Sequence, residues 1–284
     1  MTPLSTPAVH TIAVPGARLH CEVRDPAGFA ARRGGPLLLV VGSPMASAEF
    51  APLADTLATD HTVVTFDPRG HARSTIDNPD DDATPEQRAD DLVALLDALG
   101  AESADVFGSS GGAVTGLALV ARHPARVRTL VAHEPPLLEL LPDADQQRAA
   151  TEDIINTFHT DGMGAAWAKF MVNAGFDITA PDDDGASMHA KLPEPSEQDL
   201  HEAARFFEHE LRPTTRYVPD VDALTAARVL IGIGADSGQL LSHRTSVALA
   251  ELLGVTPVEF PGDHGGFLGQ PTEFADVLRK ALET

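Results

Sequence analysis

Short apolar runs separated by helix-periodic stretches recur along this 284-residue chain, and that alternation restricts its fold more than any other feature. PLLLVV (36–41), HTVVTF (61–66), ADVFG (104–108), VRTLVAH (127–133), ARVLIGIG (227–234) and TPVEF (256–260) read as strands buried on both faces. Between them, TPEQRADDLVALLDALG (84–100) has Thr84 and Gln87 at capping-box spacing, Pro85 at the first helical position and Gly100 as a stop. GAVTGLALVARHP (112–124), RTSVALAELLG (244–254) and PTEFADVLRKALE (271–283) continue the pattern, and AVHTIAV with ARLHCEV predicts a leading hairpin turned at Pro15-Gly16. Strand–helix alternation of this kind gives an α/β fold with a mostly parallel, doubly wound sheet covered on both faces. It lapses once, after the sixth strand. There DQQRAATEDIINTFH, GAAWAKFMVNAGF and EQDLHEAARFFEHELR offer helices and no clear strand. The expected organisation is a core of 1–135 and 220–284 with a helical cap, 136–219, over the sheet's carboxyl edge.

DVFGSSGGAVTG (105–116) lies where a strand turns into a helix and contains two adjacent serines. Ser110 is framed as Gly108-Ser109-Ser110-Gly111-Gly112, a G-x-S-x-G elbow. A nucleophile at a sharp strand-to-helix turn needs small residues two before and two after it, because the backbone there is strained. Its hydroxyl then stands clear of the sheet, near helix N–H groups that favour an oxyanion. Ser109 in the same role would have Phe107 as a crowded neighbour. A phosphate-binding loop is excluded because no Gly-Lys-[Ser/Thr] follows.

With these residues the chain resembles the α/β-hydrolase superfamily, from about Pro36 to the C-terminus. VVGSPMAS (40–47) stands where that family carries His-Gly-x-Pro, with Val41 in place of the histidine. FDPRGHARS (66–74) is similar to its Asp-x-Arg-Gly-x-Gly-x-Ser loop, with Ala72 replacing the second glycine. FPGDHGGF (260–267) resembles the loop that delivers the catalytic histidine. The resemblance implies Ser110 as nucleophile and His264 as general base. It also implies an oxyanion hole from the N–H groups of Ser43 and Gly111, Pro44 having none to offer. His71, His123 and His133 are expected to be structural or cleft-lining.

The triad acid has two candidates. Family members usually place an Asp after the next-to-last strand, where this chain reads Gly234-Ala235-Asp236-Ser237, one residue out of step. Other branches, haloalkane dehalogenases among them, carry the acid where Glu134 follows VRTLVAH. Glu134 is the expected acid and Asp236 the alternative. A serine nucleophile limits the chemistry: on saturated carbon it would leave an ether that water does not readily cleave. An acyl carbon is therefore expected, in an ester, lactone, thioester or activated amide. The resemblance implies a cofactor-free carboxylic ester hydrolase, with no metal. Perhydrolases, carbon–carbon bond hydrolases and acyltransferases use the same triad, and a ligand-binding receptor on the same scaffold is the alternative from another class.

A net charge of −22 disfavours nucleic acid and anionic membranes as partners, leaving a small-molecule substrate. The acidic runs Asp80–Asp82 and Asp182–Asp184 read as solvated loop surface. No stretch of about 18 apolar residues suggests a membrane span. One cysteine, Cys21, and no leader pattern at the start point to the cytoplasm. The sequence is silent on oligomeric state, and a homodimer is among the states it allows. Met45, Ser109 and Trp167 are the candidate substrate contacts, while the other cap aromatics and methionines (Phe158, Met163, Phe170, Met171, Phe206, Phe207) are expected mostly in the cap's own core.

Overall fold

A computed structural model describes residues 6–25, 37–177 and 195–283. Among the described residues nine strands form one sheet: β1 (Ala8–Val14), β2 (Ala17–Arg24), β3 (Leu37–Val41), β4 (Thr62–Phe66), β5 (Thr75–Ile76), β6 (Ala104–Ser109), β7 (Val127–His133), β8 (Val229–Gly234) and β9 (Val258–Phe260). Their order is β1-β2-β4-β3-β6-β7-β8-β9, with the two-residue β5 on β2. β1 and β2 form the expected hairpin, turned at Gly16 with φ of 74°. β2 meets β4 antiparallel, and every pairing from β4 to β9 is parallel.

Side-chain alternation divides the core into two layers. Leu39 and Val41 of β3 face the layer built with α2 (Pro85–Ala98) and α3 (Gly111–Arg122), while Leu38 and Val40 face α1 (Ala51–Leu57) and the C-terminal helix. Leu92, Leu117, Leu53 and Leu278 are fully buried in these layers. Each such side chain contributes roughly 1.5–3 kcal/mol relative to exposure. The start of α2 is set as expected, with the Thr84 hydroxyl accepting from Gln87 N–H at 3.2 Å.

Between β7 and β8 the described residues are helical: α4 (Ala144–Asp161), α5 (Met163–Ala174), α6 (Glu197–Ala204), α7 (Leu211–Thr215) and α8 (Val221–Thr225). A π-helical turn, Arg205–Glu210, links α6 to α7. α4, α5, that turn and α7 share a small apolar core that includes Ile154, Ile155, Ala166, Phe206, Phe207 and Leu211. α9 (Leu241–Leu253), α10 (Gly266–Gly269) and α11 (Pro271–Glu283) complete the chain. Among the described residues, no helix is long and apolar enough to cross a membrane.

The parallel register decides what emerges at the carboxyl edge. Ser109 pairs with His133, His133 with Gly232, and Gly234 with Phe260. The residues that follow these strand ends therefore leave the sheet side by side.

Candidate active site

Ser110 occupies the turn from β6 to α3 with φ of 57° and ψ of −125°, a conformation costly for a residue with a Cβ. Its N–H donates to His133 O at 2.9 Å. The elbow is crowded backbone against backbone. A Cβ on Gly108 would lie 2.5 Å from Gly112 O, and one on Gly112 would collide with Val41 O. One on Gly111 would lie 2.7 Å from Ser43 O, so the Ser43 loop sits directly on the start of α3. Gly111 opens α3, and its N–H has no intrahelical acceptor.

Glu134 follows β7 with φ of 50° and is fully buried. Its Oε2 lies 2.6 Å from His264 Nδ1, across 130 residues of sequence. Gly234 N–H donates to Oε1 at 3.0 Å and the Ser242 hydroxyl to Oε2 at 3.0 Å. Burial raises the Glu134 carboxyl pKa, but the His264 hydrogen bond, the adjacent imidazoles and the Gly234 N–H outweigh it and bring it to about 2. An ionised carboxylate only accepts, so His264 Nδ1 carries the proton of this contact. Asp236, by contrast, is exposed and holds Gly262 O only through its backbone N–H at 2.9 Å. Its carboxylate has no hydrogen bond among the described residues. The displacement by one residue turns it outward, while Ser237, at the aligned position, is fully buried.

Ser110, Gly111, Ser43 and His264 all line one cavity of about 350 Å³ between the sheet edge and the helices above it. Met45 and Trp167, two of the expected substrate contacts, line it as well. Ser109 does not. It is fully buried at the end of β6, with its Oγ 3.2 Å from His133 Nδ1. Among the cap residues expected in its core, Phe170, Met171 and Phe206 reach the cavity, and Phe206 also stacks on Trp167 with ring centroids 5.0 Å apart. Phe158 and Phe207 stay in the cap core. Among the described residues that line it, only His264 is ionisable.

His133 is fully buried, and its ring centroid lies 6.2 Å from that of His264. Burial lowers its pKa to about 3, against an opposing pull from Glu134. His71 is buried against Glu210, and His123 lies on the surface beside Asp90. Ser242 was not expected from the sequence. It lies 3.2 Å from His264 Nδ1 as well as on Glu134, and nothing but its place at the start of α9, after β8, hints at this. Asp80–Asp82 are exposed, and Asp182–Asp184 lie outside the described residues. Among the described residues, no three His, Cys, Asp or Glu side chains converge as a metal-ligand set.

A sharp elbow serine and a histidine from the last strand's loop, beneath helices inserted after β7, define a class of α/β enzyme. The family model described as alpha/beta hydrolase fold matches residues 35–182. An uncharacterized hydrolase of Bacillus subtilis, YraK, is 33% identical over 282 residues, covering 96% of this chain and 95% of that protein. The chain belongs to the α/β-hydrolase fold family and is a hydrolase by class. Solved structures agree on the fold. The enol-lactonase of Burkholderia xenovorans LB400 superposes with a TM-score of 0.67 at 19% identity, covering 97% of this chain and all of that one. A thermophilic esterase of Thermogutta terrifontis gives 0.70 at 20% identity, covering 97% and 98%.

Proposed function

We propose that this protein is a serine hydrolase that cleaves a carboxylic ester or lactone of small to medium, apolar character through an acyl-enzyme. One observation carries the proposal: the buried Glu134 carboxylate meets His264 Nδ1 at 2.6 Å while Ser110 and His264 line the same cavity. Ser110 Oγ attacks the acyl carbon as His264 Nε2 takes its proton. The carbonyl oxygen becomes an oxyanion held by the N–H groups of Ser43 and Gly111. Collapse expels the alcohol, which takes the proton back from His264. Water then attacks the acyl-enzyme, passes a proton to His264, and the carboxylic acid leaves as Ser110 regains its hydrogen. Glu134 holds the imidazole in the productive tautomer and stabilises it when charged.

Among the described lining residues only His264 is ionisable, which supports neutral acyl and alcohol groups over anionic ones. The test is incubation with a fluorophosphonate followed by peptide mass spectrometry. A label on Ser110, lost in Ser110→Ala, is expected. An unlabelled wild-type protein would point instead to a receptor on this scaffold.

A further inference from the structure

Beneath the Ser43 loop lies a buried polar cluster that the reaction above does not use. Arg88, on α2, has a side chain only 5% exposed. Its Nη1 donates to Ser43 Oγ, and its Nη2 donates to Thr214 Oγ1 of α7 at 2.6 Å. The Ser43 hydroxyl in turn donates to Glu210 Oε2 at 3.5 Å. Glu210, 1% exposed, also lies 2.8 Å from His71 Nε2 through Oε1. The Nε of Arg205, equally buried, is 3.5 Å from that Oε1, and its Nη1 donates to Pro79 O and Asp81 O. Burial lowers the Arg88 pKa, with Glu210 opposing, while His71 and both arginines outweigh burial at Glu210 and lower its pKa.

Three properties set this cluster apart from packing. It joins elements on both sides of the cavity, since Arg88, His71 and Ser43 come from the core and Glu210, Arg205 and Thr214 from the inserted helices. It fixes the Ser43 side chain from two directions, as acceptor from Arg88 and as donor to Glu210. It is also costly, because desolvating charges commonly cancels what their pairing returns, and a fully apolar set of similar volume in place of the whole cluster often stabilises as well or better.

We propose that Arg88 is a positioning residue for the oxyanion hole, holding the Ser43 loop so that its N–H stays aimed at the developing oxyanion. Through Thr214 and Glu210 the same guanidinium ties that aim to the seating of the inserted helices. The role rests on the acyl-enzyme reading given above, because it acts only where an oxyanion forms.

The experiment compares wild type, Arg88→Met, Arg88→Lys and Ser43→Ala on p-nitrophenyl butyrate. Fluorophosphonate labelling rates and affinity for a trifluoromethyl ketone, which adds the serine to give a bound oxyanion, are measured alongside. Arg88→Met is expected to lower kcat, labelling rate and ketone affinity together by about tenfold to a hundredfold, with KM within about twofold. Its thermal midpoint should fall, because Glu210, Ser43 and Thr214 each lose a buried partner, and Arg88→Lys should recover part of kcat. Ser43→Ala keeps the backbone donor and loses only the hydroxyl that Arg88 grips. It should lose kcat several-fold, and it carries the test should Arg88→Met fail to fold. An effect confined to KM, or labelling and ketone affinity unchanged in the folded variants, overturns the proposal and leaves the acyl-enzyme reading intact. A wild-type protein that takes no fluorophosphonate label overturns both.

Discussion

At the carboxyl edge of the sheet, Gly108, Gly111 and Gly112 leave no room for a single Cβ, and Ser110 and Glu134 are held at positive φ. Across the cavity the wall is large side chains on helices, Met171 and the mutually stacked Trp167, Phe170 and Phe206, rather than locked backbone. The lower wall is fixed by close backbone approach and strand register, where any added atom must move main chain. The upper wall is fixed by side-chain packing, which tolerates exchange of shape for shape. In an enzyme of this class the first suits groups that must stay within a fraction of an ångström, and the second suits a surface that sets substrate size.

The sharpest way to break that contrast lies at the lower wall. Glu134→Gln keeps the shape but can present its amide to His264 and upset the tautomer, so kcat should fall about a thousandfold or more. Asp236→Asn, on an exposed turn, should stay within about twofold of wild type. Steady-state kinetics of the two purified variants decide it, and the opposite ranking would return the acid's role to Asp236.

The same wall should give way first in acid. Glu134 titrates near 2 in the fold against 4.5 unperturbed, so its contribution is complete above about pH 4.5 and is lost as pH falls toward 2. A shift of that size corresponds to about 3 kcal/mol. His133 acts in the same direction from a higher starting point. It stays neutral in the fold down to about 3, whereas the unfolded chain takes up its proton below 6.5, so stability begins to fall there. Urea midpoints measured from pH 7 to pH 3 should decline throughout, and a flat profile would contradict the buried, neutral state of His133.

How far each wall was readable from sequence follows from the range of the interactions that build it. The elbow, the strands and the His264 loop are local patterns of Gly, Pro and apolar spacing, and they announce themselves within a dozen residues. The pairing of Glu134 with His264 was legible only as a choice between two turns, because a one-residue offset at Asp236 becomes a direction only once β8 is placed. Ser242 reaches Glu134 across 108 residues and Arg88 reaches Thr214 across 126, with no local pattern to mark either contact. The aromatic helices were the least legible. Helical periodicity says which side chains share a face, and Trp167 and Phe206 use that face for cap core and cavity at once. The sequence offered nothing to separate the two uses.

The smallest expected effect belongs to the upper wall and would sharpen the comparison most. Met171 is half-buried, lies in the cavity wall on α5, and takes no part in the aromatic stack. Met171→Phe adds volume where side-chain packing, not backbone, defines the space. The fold should absorb it, with unfolding free energy changed by less than about 1.5 kcal/mol. What should change is the longest acyl chain accepted, because displaced methylenes are each worth about 1 kcal/mol or more in a filled apolar pocket. On a series of p-nitrophenyl esters, kcat/KM for acetate should be unaltered and that for octanoate should drop about tenfold. An equal loss on both would mean that the substitution had disturbed Ser110 or His264 rather than the pocket, and that the two walls are not independent.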